Sequence, residues 1–340
     1  MRTTIIGVDL ATKAIQVCVY LNSKVLSNKE LTPQQFSEFL RQQPPCVVVF
    51  ESCSGSNYWA QYCRSMGHKA KLISTRLVGA IRQNQKTDKN DALAIVQAAL
   101  LPEVHFVATK TPHQQQAQAI LRLREQCIKQ KTALKNQLGG LLREFNFSVG
   151  RGESRLIVTI ESILEDYENG LSFTFRTMLS KSLKLYQQVC LTLESYNLAL
   201  EEWVDETPDC KKLMRIEGIG LLNAIHLYIA MAEQETGEFK RGRDVSACIG
   251  LTPVQHSSGG KVKLGTIGKR KSTGLRSLLI TGAMAVVQQV EKREAKTKKE
   301  SWLKSLIERR GKKCAAVALA NKNVRIAFAM LKNGTDYHLT

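Results

Sequence analysis

The stretch Thr4-Ile5-Ile6-Gly7-Val8-Asp9-Leu10-Ala11-Thr12-Lys13-Ala14-Ile15-Gln16-Val17-Cys18-Val19-Tyr20 decides the fold. An apolar run, a short polar turn and a second, alternating run read as a β-hairpin, with strands at Thr4–Asp9 and Ile15–Tyr20 around Ala11–Ala14. A third strand is expected at Lys24–Leu31. Thr32-Pro33-Gln34-Gln35 then places an N-cap, a proline at the first helical position and a glutamine at the third, which opens a helix through about Leu40. Cys46–Phe50 reads as a buried strand, Asn57–Met66 as a helix and Lys69–Ile73 as another strand. Strands come first as a meander and then alternate with helices, the signature of an α/β domain.

Four carboxylates fall at telling places in that pattern. Asp9 ends the first strand and Glu51 ends Cys46-Val47-Val48-Val49-Phe50-Glu51, on strands that can be sheet neighbours. Asp88 and Asp91 bracket Lys89-Asn90 where a helix begins, three residues apart and on one face. An acid beside a buried strand is costly unless a cation meets it. A ribonuclease H-like nuclease places its metal ligands in this manner, and four oxygen donors suit Mg²⁺ or Mn²⁺. Two such ions held about 4 Å apart activate a nucleophile and stabilise a leaving oxygen. The plainer reading of Asp88 and Asp91 is helix-start chemistry, one acid at the N-cap and one at the third position.

The chain has 340 residues, which suggests two or three structural units, and its 43% hydrophobic content supports real cores. The formal charge is +19, and from Lys240 onward there are 22 Lys and Arg against 6 Asp and Glu. Such a basic C-terminal third points to a polyanionic partner, nucleic acid first. The nine cysteines show no zinc or disulfide spacing. Cys18, Cys190 and Cys248 lie in apolar runs and read as small core residues in a reducing cytosol. The N-terminus does not read as a signal peptide, and no stretch is expected to approach the length of a membrane span. A soluble, cytoplasmic, prokaryotic protein is expected, associated with the nucleoid when it acts.

The middle of the chain is helical. Thr111-Pro112 starts a helix to about Glu144, with Ile120, Cys127, Leu134 and Leu141 recurring every seven residues. A clearer heptad follows in Leu179, Leu183, Tyr186, Cys190, Leu193, Asn197, Leu200 and Val204. This seam pairs either between chains or with Ile120–Leu141 inside one chain. Ile216-Glu217-Gly218-Ile219-Gly220 resembles the turn of a helix-hairpin-helix, and a plain tight turn explains it equally well.

A second chemical candidate is Gly250-Leu251-Thr252-Pro253-Val254-Gln255-His256-Ser257-Ser258-Gly259-Gly260-Lys261. Its Ser-Ser-Gly-Gly segment is either a flexible loop or a nucleophile site. Lys261, Lys263, Lys269, Arg270 and Arg276 surround it with cations suited to phosphate contacts, and a serine needs such help to attack phosphorus. His256 is not assigned as a base, because neighbouring side chains in an extended segment point apart.

The ordered set Gly7-Val8-Asp9, Phe50-Glu51-Ser52, Lys86-Thr87-Asp88-Lys89-Asn90-Asp91-Ala92, Gly250-Leu251-Thr252-Pro253, Ser258-Gly259 and Leu275-Arg276 resembles the IS110/IS1111 insertion-sequence transposases, the IS1111 branch in particular. The resemblance implies that Asp9, Glu51, Asp88 and Asp91 form the metal-binding tetrad of a RuvC-like domain and that Ser258 is a nucleophile, with Ser257 the fallback. It further implies a structured non-coding guide RNA, donor and target DNA as partners, and homodimers that pair into a tetramer, with no membrane involved. Ile267-Gly268-Lys269-Arg270-Lys271 departs from the family's Ile-Ser-Lys-x-Gly, so Gly268 carries no hydroxyl role. The domain reading is a RuvC-like domain at 1–108, a helical or coiled-coil region at 109–206, and a basic, mainly helical transposase domain at 207–340. Two other functions fit the residues: a metal-dependent junction endonuclease that uses water, and a non-catalytic nucleic-acid-binding protein.

Overall fold

The computed structural model describes residues 4–150, 152–231, 239–267 and 273–338. The chain forms two compact units, Met1–Gln114 with Leu227–Thr340, and Gln115–His226.

The first part of unit one is a five-stranded sheet flanked by helices. In chain order it comprises β1 (Ile5–Leu10), β2 (Ile15–Leu21), β3 (Lys24–Leu31), α1 (Pro33–Gln42), β4 (Val47–Glu51), α2 (Ser56–Ser65), β5 (Lys69–Ile73), α3 (Thr75–Ile81) and α4 (Asp88–Ala99). The sheet order is β3-β2-β1-β4-β5, with β1 antiparallel to β2 and parallel to β4. The Thr32 capping box closes as its sequence foretells: Thr32 Oγ1 accepts from Gln35 N, and Gln35 Oε1 accepts from Thr32 N. Helix α3 had no counterpart among the elements read from sequence.

Side-chain alternation divides the sheet into two faces. Ile6, Val8, Val48 and Phe50 pack with Phe36 and Leu40 of α1 and with Ala60 and Cys63 of α2. On the other face, Ile5, Val47 and Val49 meet Val78 of α3 and Ala94, Ile95 and Ala98 of α4. Cys18 packs with Ala92 and Val96. Gly7 belongs to this second face, and α4 sits directly on it. A Cβ at Gly7 would lie 2.5 Å from the Ala92 carbonyl oxygen and 2.6 Å from Val96 Cγ2. The glycine is what lets the helix approach.

Unit two is built on α5 (Pro112–Glu144), α6 (Glu153–Glu165), α7 (Phe173–Asp205) and α8 (Pro208–Leu213), and α9 (Leu221–Met231) begins in it. Leu138 and Leu142 of α5, Leu156, Ile160 and Ile163 of α6, and Leu179, Leu183 and Tyr186 of α7 form one core. The heptad seam therefore packs within the chain. Asn197 on that seam accepts a 2.6 Å hydrogen bond from Arg124 Nε on α5. The seven-residue track read on α5 drifts off the core: Leu141 is exposed, whereas Leu121, Cys127, Leu138 and Leu142 are buried. A straight helix rotates about 20° per heptad away from a strict seven-residue repeat, which accounts for the drift. Cys190 and Cys248 are half-buried rather than core residues. Cys190 reaches an edge, where its Sγ donates to Glu153 Oε1 at 2.9 Å. Gly218, in the turn before α9, has φ +84°.

The last part of unit one comprises α10 (Gly242–Ile249), a two-stranded hairpin of β6 (Pro253–Gln255) and β7 (Leu264–Ile267), α11 (Thr273–Glu291) and α12 (Lys298–Asn333). α12 packs against α10 and α11, buries Leu303, Ala316, Leu319, Val324, Ala327 and Met330, and bends at Gly311. By length and composition this helix is apolar enough to cross a membrane, which corrects the expectation that no stretch approaches such a span. The cause is its alanine-rich run Cys314–Leu331, in which Lys322 and Arg325 are the only charges.

Candidate active site

The parallel pairing Gly7↔Val49 and Val8↔Phe50 brings the C-terminal ends of β1 and β4 side by side. Asp9 follows Gly7 by two residues and Glu51 follows Val49 by two, so both carboxylates stand on the face covered by α4. Helix α4 begins with Asp88 and Asp91. Because it rests on Gly7, its first turn lies beside the ends of those strands. Gln16, paired with Asp9 across β1 and β2, donates to Asn28 Oδ1 at 2.7 Å, and Asn28 Nδ2 donates to the Lys89 carbonyl at 2.9 Å. These bonds tie the start of α4 to the sheet.

The electrostatics confirm that the acids share a field. Burial pushes the Asp9 carboxyl above the usual carboxylate range, and Asp91 and Asp88 push it further; the Leu10 N–H and Lys86 oppose this. Glu51 is raised by burial and then by Asp9 and Asp91, against Lys86 and Arg82. Asp91 is buried, and its Oδ1 accepts from Arg82 Nη1 at 2.6 Å. Asp88 is exposed. Both acids lie in the first turn of α4, as the helix-start reading expects, but neither is the N-cap. Thr87 is the N-cap, its Oγ1 accepting from Asn90 N at 3.3 Å, so Asp88 is the first helical residue and Asp91 the fourth.

Among the described residues, no three His, Cys, Asp or Glu side chains are gathered closely enough to hold one ion. The chemistry of the set nevertheless fits a hard divalent cation: four carboxylates, two of them raised by burial and then by their acidic neighbours, with Arg82 bound to one. Arg82, Gln16 and Asn28 were missed in the sequence, and Gly7 was read only as part of the Gly7-Val8-Asp9 motif, without its packing role. Only Gly7 carried a signal, as a lone glycine inside a strand.

The serine segment lies on the β6–β7 hairpin. His256 N donates to the Lys263 carbonyl at 2.8 Å, and Ser258 bridges to Lys261, whose N–H donates to the Ser258 carbonyl at 3.1 Å. Gly259 and Gly260 between them have φ +57° and +78°. Positive φ at both central residues is what a tight two-residue hairpin of the I′ kind requires, and Gly-Gly supplies it without strain. Ser257 Oγ is engaged, accepting from Gln255 Nε2 at 2.8 Å and from Lys263 N at 3.3 Å. Among the described residues, Ser258 Oγ has no hydrogen-bond partner. Lys261 and Lys263 are exposed on the same hairpin, and Arg276 is half-buried on α11. Lys269 and Arg270, with Gly268 and Lys271, lie outside the described residues.

Residues 6–147 match the DEDD transposase model of the IS110 group, and residues 210–300 match the model described as the transposase IS116/IS110/IS902 family. The chain is 35% identical over 340 residues to a probable family 20 transposase of Pseudomonas aeruginosa, with 99% of each chain covered. It is 36% identical to the transposase for insertion sequence element IS1111A of Coxiella burnetii, over 98% of this chain and 91% of that one. It is 31% identical to the transposase for insertion sequence element IS1328 of Yersinia enterocolitica, over 99% of each. Similarity of this extent, over both the strand-end acids and the serine hairpin, makes the chain a transposase of the IS110/IS1111 family with a DEDD-type domain.

Proposed function

We propose that this transposase is a site-specific DNA recombinase that cuts and rejoins strands through Ser258, assisted by a RuvC-like acidic tetrad. The observation that carries the reading is the contrast between the two serines. Ser257 is tied into the hairpin, whereas among the described residues the Ser258 hydroxyl has no partner, and Lys261 pairs with Ser258 across the turn. In the proposed step a Ser258 Oγ–P bond forms while a deoxyribose O–P bond breaks. The serine proton goes to solvent or to the departing oxygen. One phosphodiester replaces another, so rejoining by reversal needs no external energy source. Lys261 and Lys263 offset charge on the phosphate oxygens, with Lys269, Arg270 and Arg276 as further phosphate contacts.

Asp9, Glu51, Asp88 and Asp91 are the residues that would hold Mg²⁺ or Mn²⁺, which supplies charge stabilisation at the phosphate and at the leaving oxygen. The basic C-terminal third supports binding of donor and target DNA and of an element-encoded guide RNA. The functional division we infer is 1–108, 109–206 and 207–340. Assembly of dimers into a tetramer, with tetrad and serine meeting across protomers, is consistent with the apolar side chains that α7 leaves exposed at Met178, Leu185, Leu191 and Leu198.

The test is to incubate the protein with DNA and guide RNA, denature it, and look for protein covalently attached to DNA. Ser258→Ala should abolish the adduct and leave RNA binding intact, and Ser257→Ala should retain it. Free 3′-hydroxyl and 5′-phosphate ends with no attached protein in the unsubstituted chain would instead establish a hydrolytic nuclease.

A further inference from the structure

A cavity of about 1430 Å³ opens in the C-terminal part of unit one, walled by α10, α12 and the base of the serine hairpin. Its size exceeds the roughly 300–1,000 Å³ of a small-molecule pocket, which favours a segment of polymer. Among the described residues, six cations line it: Arg241, Arg243, Lys313, Lys322, Arg325 and Lys332. Among the described residues, no Asp or Glu does. Between the cations the floor is apolar, with Val317, Ile326 and Ala329 of α12 and the Trp302 ring. The Lys322 ammonium lies 4.7 Å from the centre of the Trp302 ring, and that of Lys332 lies 5.6 Å from the centre of the Phe328 ring. Aromatic faces and ammonium groups thus occur together, twice, along one helix.

We propose that this cavity takes one unpaired DNA strand, the strand that runs from the scissile phosphate. The proposal rests on the recombinase reading above. The cationic lining selects a polyanion. A duplex would offer this surface only phosphates and sugars, and phosphates gain nothing from an apolar floor. A strand with unstacked bases offers both partners the cavity needs: flat apolar faces for Trp302 and the aliphatic floor, and phosphates for the surrounding cations. The choice of DNA follows from continuity. Pro253, Gly265, Thr266 and Ile267, the paired base of the β6–β7 hairpin, form part of the cavity wall, and the same hairpin carries Ser258 at its turn. A strand gripped by the hairpin at the cut would run on into the cavity.

The experiment titrates the full chain with a ten-nucleotide oligo(dT), its RNA equivalent and a blunt DNA duplex, following tryptophan fluorescence and the anisotropy of a labelled strand. The single DNA strand should quench Trp302, a signal missing in Trp302→Leu. That substitution should weaken binding by about tenfold or more, as expected for loss of one stacking platform. Lys322→Ala together with Arg325→Ala should weaken binding further and flatten its salt dependence, by about 0.7 in log–log slope for each phosphate no longer neutralised. Ser258→Ala should keep both quenching and affinity. If Trp302→Leu or the double variant binds the DNA strand as the parent does, the proposal falls. It falls equally if the duplex or the RNA quenches Trp302 as strongly as the single DNA strand does. Quenching in a chain that never forms a covalent adduct would sink the serine mechanism and leave this site standing. Normal adducts with Trp302→Leu binding unimpaired would do the reverse.

Discussion

The strand-end acids and the serine hairpin are built on opposite kinds of scaffold. Asp9 and Glu51 extend central strands whose preceding residues, Val8 and Phe50, are fully buried, and α4 is locked over them by close approach at Gly7. Folding of the sheet fixes that half of the site. The hairpin has strands of three and four residues, with Leu264 and Val262 largely exposed. A two-stranded hairpin is marginal by itself, so under the proposed function bound substrate would supply part of its order. The acids are preformed and crowded together by the sheet; the hairpin is unstrained and, in the proposed function, is completed by what it binds. Damage should therefore show as lost stability in the first and as lost binding or chemistry in the second.

Two glycine substitutions break the comparison most directly. Gly7→Ala places a methyl group against the Ala92 carbonyl, so α4 must lift from the sheet or β1 must shift. The cost should be about 1–3 kcal/mol, visible as a lower urea midpoint. Because α4 carries Asp88 and Asp91, stabilisation by added Mg²⁺ should weaken too. Gly260→Ala meets no atom within 4 Å, and only its positive φ is strained. Its local cost is about 1 kcal/mol and should leave the global midpoint almost unmoved while adduct formation drops. Equal shifts in midpoint for the two variants would refute the division into preformed and substrate-completed halves.

The first half was legible because its signals are local and repeated. Strand alternation, the Thr32-Pro33 cap and acids at strand ends each follow from nearest neighbours in the chain, and parallel pairing of β1 with β4 was a short step beyond. Arg82 was not legible, since nothing in Arg82-Gln83-Asn84 predicts that its guanidinium turns back to a buried carboxylate nine residues on. The heptad on α7 was legible as a pattern and not as a pairing, because a seven-residue repeat is the same whether the partner is α5 and α6 or a second chain. In the hairpin, Gly259-Gly260 already carried the signature of a two-residue turn, and the brevity of the flanking strands hid it. The cavity could not be seen at all: its wall draws on residues from Arg241 to Asn333, and only the packing of α10 and the hairpin on α12 brings them together.

A smaller effect sharpens the picture of the acidic half. In the described structure Arg82 occupies an oxygen of Asp91. Arg82→Gln removes that partner and should cost about 1–2 kcal/mol in chelator, since a mostly buried carboxylate loses its counter-charge. Added Mg²⁺ or Mn²⁺ should then restore more stability to the variant than to the parent, because no side chain competes for Asp91. A metal-induced rise in Tm no larger than the parent's would show that Arg82 and the ion do not share Asp91.

The smallest expected effect is the response of the metal-free protein to pH. Asp9 and Glu51 have folded-state values above their unfolded ones, which are about 3.9 and 4.3. Protonation therefore favours the folded state. Their contribution to stability is fully present below about pH 4 and is lost as pH rises through the folded values. Glu153 and Glu300 act the other way. Cys190 and Lys131 hold Glu153 low, and Arg293 holds Glu300 low, so their contributions are present above about pH 4.3 and fade only as pH falls through still lower values. On acidification from neutrality, relief of the buried charge of the acids and of their repulsion thus comes before loss of these ion pairs. Tm in chelator should rise gently toward mild acidity and then fall. With Mg²⁺ present the rise should vanish, because protons and the cation compete for the same oxygens. Asp9→Asn removes one of the two raised carboxylates and should flatten the rise even in chelator. An Asp9→Asn profile parallel to the parent's would mean that the strand-end acids are not the groups whose repulsion the proton relieves.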